Sequence, residues 1–204
     1  MGLRIDPAAF PEPTLKETAH AGETRTVVLG GGCFWCTEAL YRSLQGVHSV
    51  RPGYAGGSKA DANYKAVCSG TTDHAEVIEI VYEPAILSLA VILKLFFSIA
   101  HDPTQKDRQG ADVGRQYRSV IFYTNEEQCK AANAYIDRLQ SAGVFDALVA
   151  TEVSPLTSFY EAEAHHHDYA ARNPNQPYIR GVSDPKVNKL KKLHARLLKA
   201  EAKP

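Results

Sequence analysis

The chain has 204 residues, 44% hydrophobic and 23% charged, enough for one sizeable core and short for two. Basic and acidic residues balance at 23 each, so no net field recruits nucleic acid or an anionic membrane. Four cysteines are too few to be a disulfide scaffold at this length, and a close pair of them is more often catalytic or metal-binding.

Residues 1–24 are rich in Pro, Ala, Glu and Thr without periodicity and read as a flexible N-terminal extension. They carry no secretory signal, which points to the reducing cytoplasm. Residues 25–204 read as one domain. "RTVVLG" is a short buried strand stopped by Gly30, Gly31 and Gly32. A helical pattern follows from Phe34 to about Leu44, with Gly46 as its stop. "VHSVRPGYAGG" begins as a strand and ends in a turn, and "AEVIEIVYEP" alternates as a half-buried strand. The most apolar run, within a helix over 86–100, carries Lys94 and is too short to span a bilayer. A long loop, "HDPTQKDRQGADVGRQ", leads to the strand "YRSVIFY". Asn125 and Gly143 bracket a further helix. "VATEVSP" reads as a strand, and "YEAEAHHHDYAARN" as a helix. From Asp184 a last helix places Val187, Leu190, Leu193 and Leu197 on one face, with its lysines mostly elsewhere.

The central order of strand, helix, strand, strand, helix, strand is that of a split βαβ, ferredoxin-like unit: an α+β domain with helices on a mainly antiparallel sheet. Such a sheet sets the first strand between the third and the fourth. Cys33 follows the first strand, Glu76 opens the third and Tyr117 opens the fourth, so the three converge on one edge.

Cys33 sits where a glycine turn hands over to a helix, and free amides there stabilise a thiolate. A nucleophile is favoured over an inert buried thiol. Cys36, one turn on, has the reach to close a disulfide with Cys33. The pair could instead supply two zinc ligands, but no second CxxC exists and the adjacent histidines 165–167 point in different directions. Glu76, a surface residue if considered alone, would be raised in pKa beside a thiolate in an aromatic pocket, and would then serve as a general acid. Tyr64 and Tyr117 would be hydroxyl donors. Phe34 and Trp35 make either an apolar wall suited to a methyl or thioether group, or ordinary core. Asp112 reads as a turn residue, and Cys68 and Cys129 have no chemical context. The single methionine, Met1, would suit a protein working among oxidants.

"GGGCFWCTEA", "GYAGG", "NYKAVCSGTTDHAEVIEIVYEP", "HDPTQKDRQGADVGRQYRSVIFY" and "FYEAEAHHHDY" together resemble the A class of peptide methionine sulfoxide reductases, from about Val27 to the tail. The resemblance implies that Cys33 attacks the sulfoxide sulfur while Glu76 protonates the departing oxygen. Tyr64 and Tyr117 would hold that oxygen, Asp112 would order the site, and Phe34 and Trp35 would receive the methyl group. The resulting Cys33 sulfenic acid would be resolved to a disulfide that thioredoxin reduces. The family acts on the S epimer, free or in proteins, without metal or cofactor; a monomer is expected here. Many relatives keep recycling cysteines in the tail, whereas no cysteine follows Cys129 here. Relatives that read GCFWC have a thiol at the position of Cys36, which assigns the resolving role to it. His166, in the "FY…H..Y" segment, takes a supporting role. Two other functions compete: a thioredoxin-like thiol–disulfide oxidoreductase, which would not need Glu76 or the tyrosines, and a zinc-binding module.

Overall fold

The apolar run Arg25–Gly31 forms strand β1, whose last five residues are buried. In chain order follow α1 (Phe34–Arg42), β2 (Val47–Ala55), α2 (Tyr64–Cys68), β3 (Ala75–Tyr82), α3 (Leu89–Leu95), the two-residue strands β4 (Arg108–Gln109) and β5 (Asp112–Val113), and β6 (Ser119–Tyr123). The rest comprises α4 (Glu126–Ser141), β7 (Glu152–Pro155), β8 (Phe159–Glu161), α5 (Tyr169–Arg172) and α6 (Asp184–His194). The computed structural model describes residues 5–6, 9–14 and 19–200.

Six strands form one sheet in the order β7-β6-β1-β3-β2-β8. β1 lies between β3 and β6, antiparallel to both. β2 pairs antiparallel with β3 and β8, whereas β7 runs parallel beside β6. The sheet is therefore mixed: four of its pairings are antiparallel, and β6 with β7 makes the parallel one. The cause is α4: its 16 residues carry the chain back along the sheet, and such a crossover delivers the next strand in parallel. Asn125 caps α4 by accepting the Gln128 N–H at 3.0 Å. Ser88 does the same for α3, accepting from Val91 at 3.4 Å, so that helix starts three residues later than expected. Leu29, Phe34, Leu40, Ile78, Ile92 and Phe96 are among the residues of the main core.

Two segments depart from the sequence reading. Residues 160–173 do not form a continuous helix. They run as the end of β8, a 3-10 turn at Ala164–His166, and the short α5, interrupted at Asp168 with φ +54°. The edge of β2 leaves backbone groups unpaired, and β8 satisfies them through Gly53↔Glu161 and Ala55↔Phe159. In the tail, Leu190 is buried but Leu193 is 45% exposed, and Lys186 is only 8% exposed. The docked face of α6 thus runs through Lys186 and Leu190, one turn apart. It then passes through a 3-10 turn at Ala195–Leu197 to the buried Leu198.

Of the expected N-terminal extension, residues 1–4, 7–8 and 15–18 lie outside the described residues. Phe10 is buried edge-to-face against Phe145 at 5.6 Å, and Pro11 accepts a hydrogen bond from Tyr135. Among the described residues no helix is long and apolar enough to cross a membrane.

Candidate active site

Glycine is required where β1 ends. A Cβ on Gly31 would sit 3.0 Å from ring atoms of both His101 and Phe96, and Gly32 turns the chain with φ +87°. The chain then enters α1 with Cys33 as the N-cap residue, whose side chain makes no capping hydrogen bond. One free amide of the first turn, Phe34 N–H, instead donates to Glu76 Oε2 at 3.1 Å. Glu76 comes from the second position of β3, next to β1 in the sheet. The convergence expected from strand order is therefore present at the start of α1, with one difference: Tyr117 ends a 3-10 turn, Arg115–Tyr117, just before β6 instead of opening that strand.

Glu76 is 2% exposed. Burial pushes its carboxyl up to about 8, against the lowering effect of the Phe34 amide, so it is protonated at neutral pH. Its Oε1 lies 4.0 Å from Cys68 Sγ. The hydroxyls of Tyr64 and Tyr117 also hydrogen-bond to Cys68, and burial holds both phenols well above their usual range. Cys68 thus belongs to the site, which corrects its reading as a residue without context. The signal for it was its place one helical turn after Tyr64. Cys129 lies away on α4, where its sulfur accepts from Asn133 Nδ2 at 3.5 Å.

All four cysteines are free thiols. Burial pushes the Cys33 thiol well up, and its hydrogen bond to Cys36 adds to this; the Trp35 amide at the helix start pulls the other way and loses. A resting thiolate at Cys33, expected from the helix N-terminus alone, is not what these surroundings favour. The charge of the pair settles on Cys36, lowered to about 7 by the hydrogen bond from Cys33, with help from Lys186 and Tyr178.

Aromatic rings frame the far side. Trp35 stacks on Tyr169 with centroids 3.7 Å apart and planes within 9°, and its Nε1–H donates to His166 Nδ1 at 3.1 Å. His166 is buried, which lowers it to about 4 and keeps it neutral; its ring packs on Phe34 at 5.1 Å and Tyr64 at 4.4 Å. Phe34, 1% exposed, serves core and pocket together. Asp112 proves to be more than a turn residue: its Oδ2 accepts from Tyr178 Oη at 2.5 Å, and Tyr178 Oη lies 3.9 Å from Cys36 Sγ. Tyr178 went unnoticed in the sequence because it lies in a segment without periodicity. Among the described residues no group of three or more His, Cys, Asp or Glu is arranged to hold a metal ion.

A family profile described as peptide methionine sulfoxide reductase matches residues 25–197. A Synechocystis relative, peptide methionine sulfoxide reductase MsrA 2, is 50% identical, with 99% of this chain and 100% of that one aligned. The MsrA of Thermus thermophilus is 48% identical, over 84% of this chain and 96% of its own. Among solved structures, Mxr1 from Saccharomyces cerevisiae in reduced form superposes with a TM-score of 0.68 at 33% identity, covering 78% of this chain and 90% of that one. Methionine sulfoxide reductase A of Corynebacterium diphtheriae gives 0.65 at 34% identity, covering 80% and 86%. With the profile spanning nearly all of the domain, and the cysteine, carboxyl and tyrosines of the resemblance gathered about the start of α1, the chain belongs to the A class of peptide methionine sulfoxide reductases.

Proposed function

We propose that this enzyme reduces the S epimer of methionine sulfoxide, free or in proteins, with Cys33 as nucleophile and Glu76 as general acid. The observation that carries this reading is the hydrogen bond from Phe34 N–H to Glu76, which ties a protonated carboxyl to the helix start that holds Cys33. Cys33 attacks the sulfoxide sulfur, and its thiol proton passes to the hydrogen-bonded Cys36. Glu76 gives its proton to the oxygen, steadied by the hydroxyls of Tyr64 and Tyr117. The oxygen is transferred to Cys33, leaving methionine and a sulfenic acid; sulfur is reduced in the substrate and oxidised in the cysteine. Phe34 and Trp35 receive the methyl group, and Asp112 orders the site through Tyr178. Cys36 then closes a disulfide with Cys33, which thioredoxin reduces, so the cycle belongs in a reducing compartment such as the cytoplasm. No metal or cofactor takes part in this scheme. We also infer that β6-β1-β3-β2, with α1 and α3, forms a ferredoxin-like plait that β7 and β8 extend, and that residues 25–204 act as one monomeric catalytic domain.

The test is a single turnover with each sulfoxide epimer and no reductant, followed by mass spectrometry of the cysteines. One equivalent of methionine from the S epimer only, with a Cys33–Cys36 disulfide, is the expected result. Equal yields from both epimers, or a disulfide elsewhere, would overturn it.

A further inference from the structure

The docked face of α6 carries a buried lysine beside the cysteine pair. Lys186 is 8% exposed and lines a cavity of about 50 Å3 together with Cys33, Asp112 and Tyr178. It makes no ion pair among the described residues. The one carboxylate sharing that cavity, Asp112, has an oxygen occupied by Tyr178. A lysine this buried without a carboxylate partner is unusual, because a desolvated ammonium needs a counter-charge. The negative charge on offer is that of Cys36, on which Lys186 acts attractively.

We propose that Lys186 is a positioning residue for recycling, on the reading that Cys36 resolves the sulfenic acid: its ammonium draws Cys36, which has taken the Cys33 proton, back to the thiolate once Cys33 carries oxygen. Cys36 faces Cys33 at the helix start, Glu76 from β3, Asp112 from β5, Tyr178 ahead of α6, and Lys186 on α6. Before turnover the thiol proton of Cys33 does most to stabilise the Cys36 charge. After oxygen transfer that thiol no longer exists, while burial and the two carboxyls still oppose ionisation. Lys186 is the cation left to offset them. The Cys36 sulfur attacks the Cys33 sulfur, the S–S bond forms, the S–O bond breaks, and hydroxide departs and takes up a proton as water. Sulfenic acid is reduced and thiol oxidised, so no outside oxidant is needed.

The test uses the full chain as wild type, Lys186→Met and Lys186→Arg, each given one equivalent of methionine sulfoxide without reductant. The yield of methionine reports that a variant is folded and has completed oxygen transfer. Dimedone trapping and mass spectrometry then follow conversion of the Cys33 sulfenic acid to the Cys33–Cys36 disulfide. For each pH unit by which Cys36 rises, its thiolate fraction below neutrality falls about tenfold, while its nucleophilicity rises roughly threefold. Lys186→Met should therefore prolong the sulfenic acid about threefold at pH 6 and not prolong it at pH 9, where the thiolate forms in both proteins and the gain in nucleophilicity is left uncompensated, and Lys186→Arg should restore the wild-type rate. Unchanged decay in Lys186→Met at pH 6, or equal slowing at pH 6 and pH 9, would overturn the assignment. A wild type that never forms the Cys33–Cys36 disulfide would instead sink the reading of Cys36, and the role of Lys186 with it.

Discussion

Glu76 combines two properties that a general acid needs, protonation at working pH and a fixed direction, and both come from its surroundings. Burial raises the carboxyl to about 8, and the Phe34 amide holds one of its oxygens in place. Glu76→Gln keeps an acceptor for that amide and removes the proton, so methionine formation should fall by roughly 10²- to 10⁴-fold in single-turnover assays. A smaller loss would mean that oxygen is protonated by another group, Tyr64 or Tyr117 being next in reach. Cys36→Ser separates the half-reactions: it should release one equivalent of methionine and then fail to turn over with thioredoxin. Normal recycling in that variant would move the resolving role to Cys68, which already lies 4.0 Å from Glu76 Oε1.

β8 shows how elements remote from the reacting sulfur support the pocket. It holds to β2 across Gly53, where a Cβ would meet the Phe159 ring at 2.4 Å and the Tyr160 carbonyl at 2.5 Å. Just beyond β8, Glu163 accepts from Tyr54 Oη at 2.8 Å and from the Tyr64 amide at 2.9 Å, so it anchors the start of α2. Gly53→Ala should therefore destabilise the protein by about 1–3 kcal/mol, read from urea unfolding. It should also slow oxygen transfer through the displaced Tyr64. This element was not legible in the sequence, because its pairing partner lies about a hundred residues away and histidine-rich "AEAHHHDYAA" suits a helix locally. β1 and α1 were legible, since a buried strand, a glycine stop and a helical period are all local signals. Strand order then sufficed to bring Glu76 to Cys33. Lys186 was hidden for the opposite reason: a lysine in an amphipathic pattern is assigned to water, and only the docking of α6 shows otherwise.

At the scale of the whole molecule, buried ionisable groups set opposing limits on stability with pH. Burial lowers His101 to about 3 and His166 to about 4, below the ordinary 6.5. The unfolded chain binds more protons at these sites, so stability falls as pH drops below about 6.5. Glu76 works in reverse: its folded value of about 8 exceeds the ordinary 4.5, so stability is lost as pH rises between them. Glu38, raised to about 7, acts in the same direction as Glu76, while Cys36, lowered to about 7, opposes both from there upward. The urea midpoint of Glu76→Gln relative to wild type should therefore climb as pH rises from 4.5 to 8; a difference that stays constant across that range would refute the assignment of a protonated Glu76. The tail adds a last point. Leu198 bridges Leu44, its carbonyl accepts from Gln45 Nε2, and Lys199 N–H donates to Ser43, so the end of α6 is laced to the chain leaving α1. The same helix that brings an ammonium to one end of α1 is moored at the other. Trimming the chain at Ala195 would spare the acid and the attacking sulfur yet slacken that mooring, leaving an enzyme that fires once and then stalls.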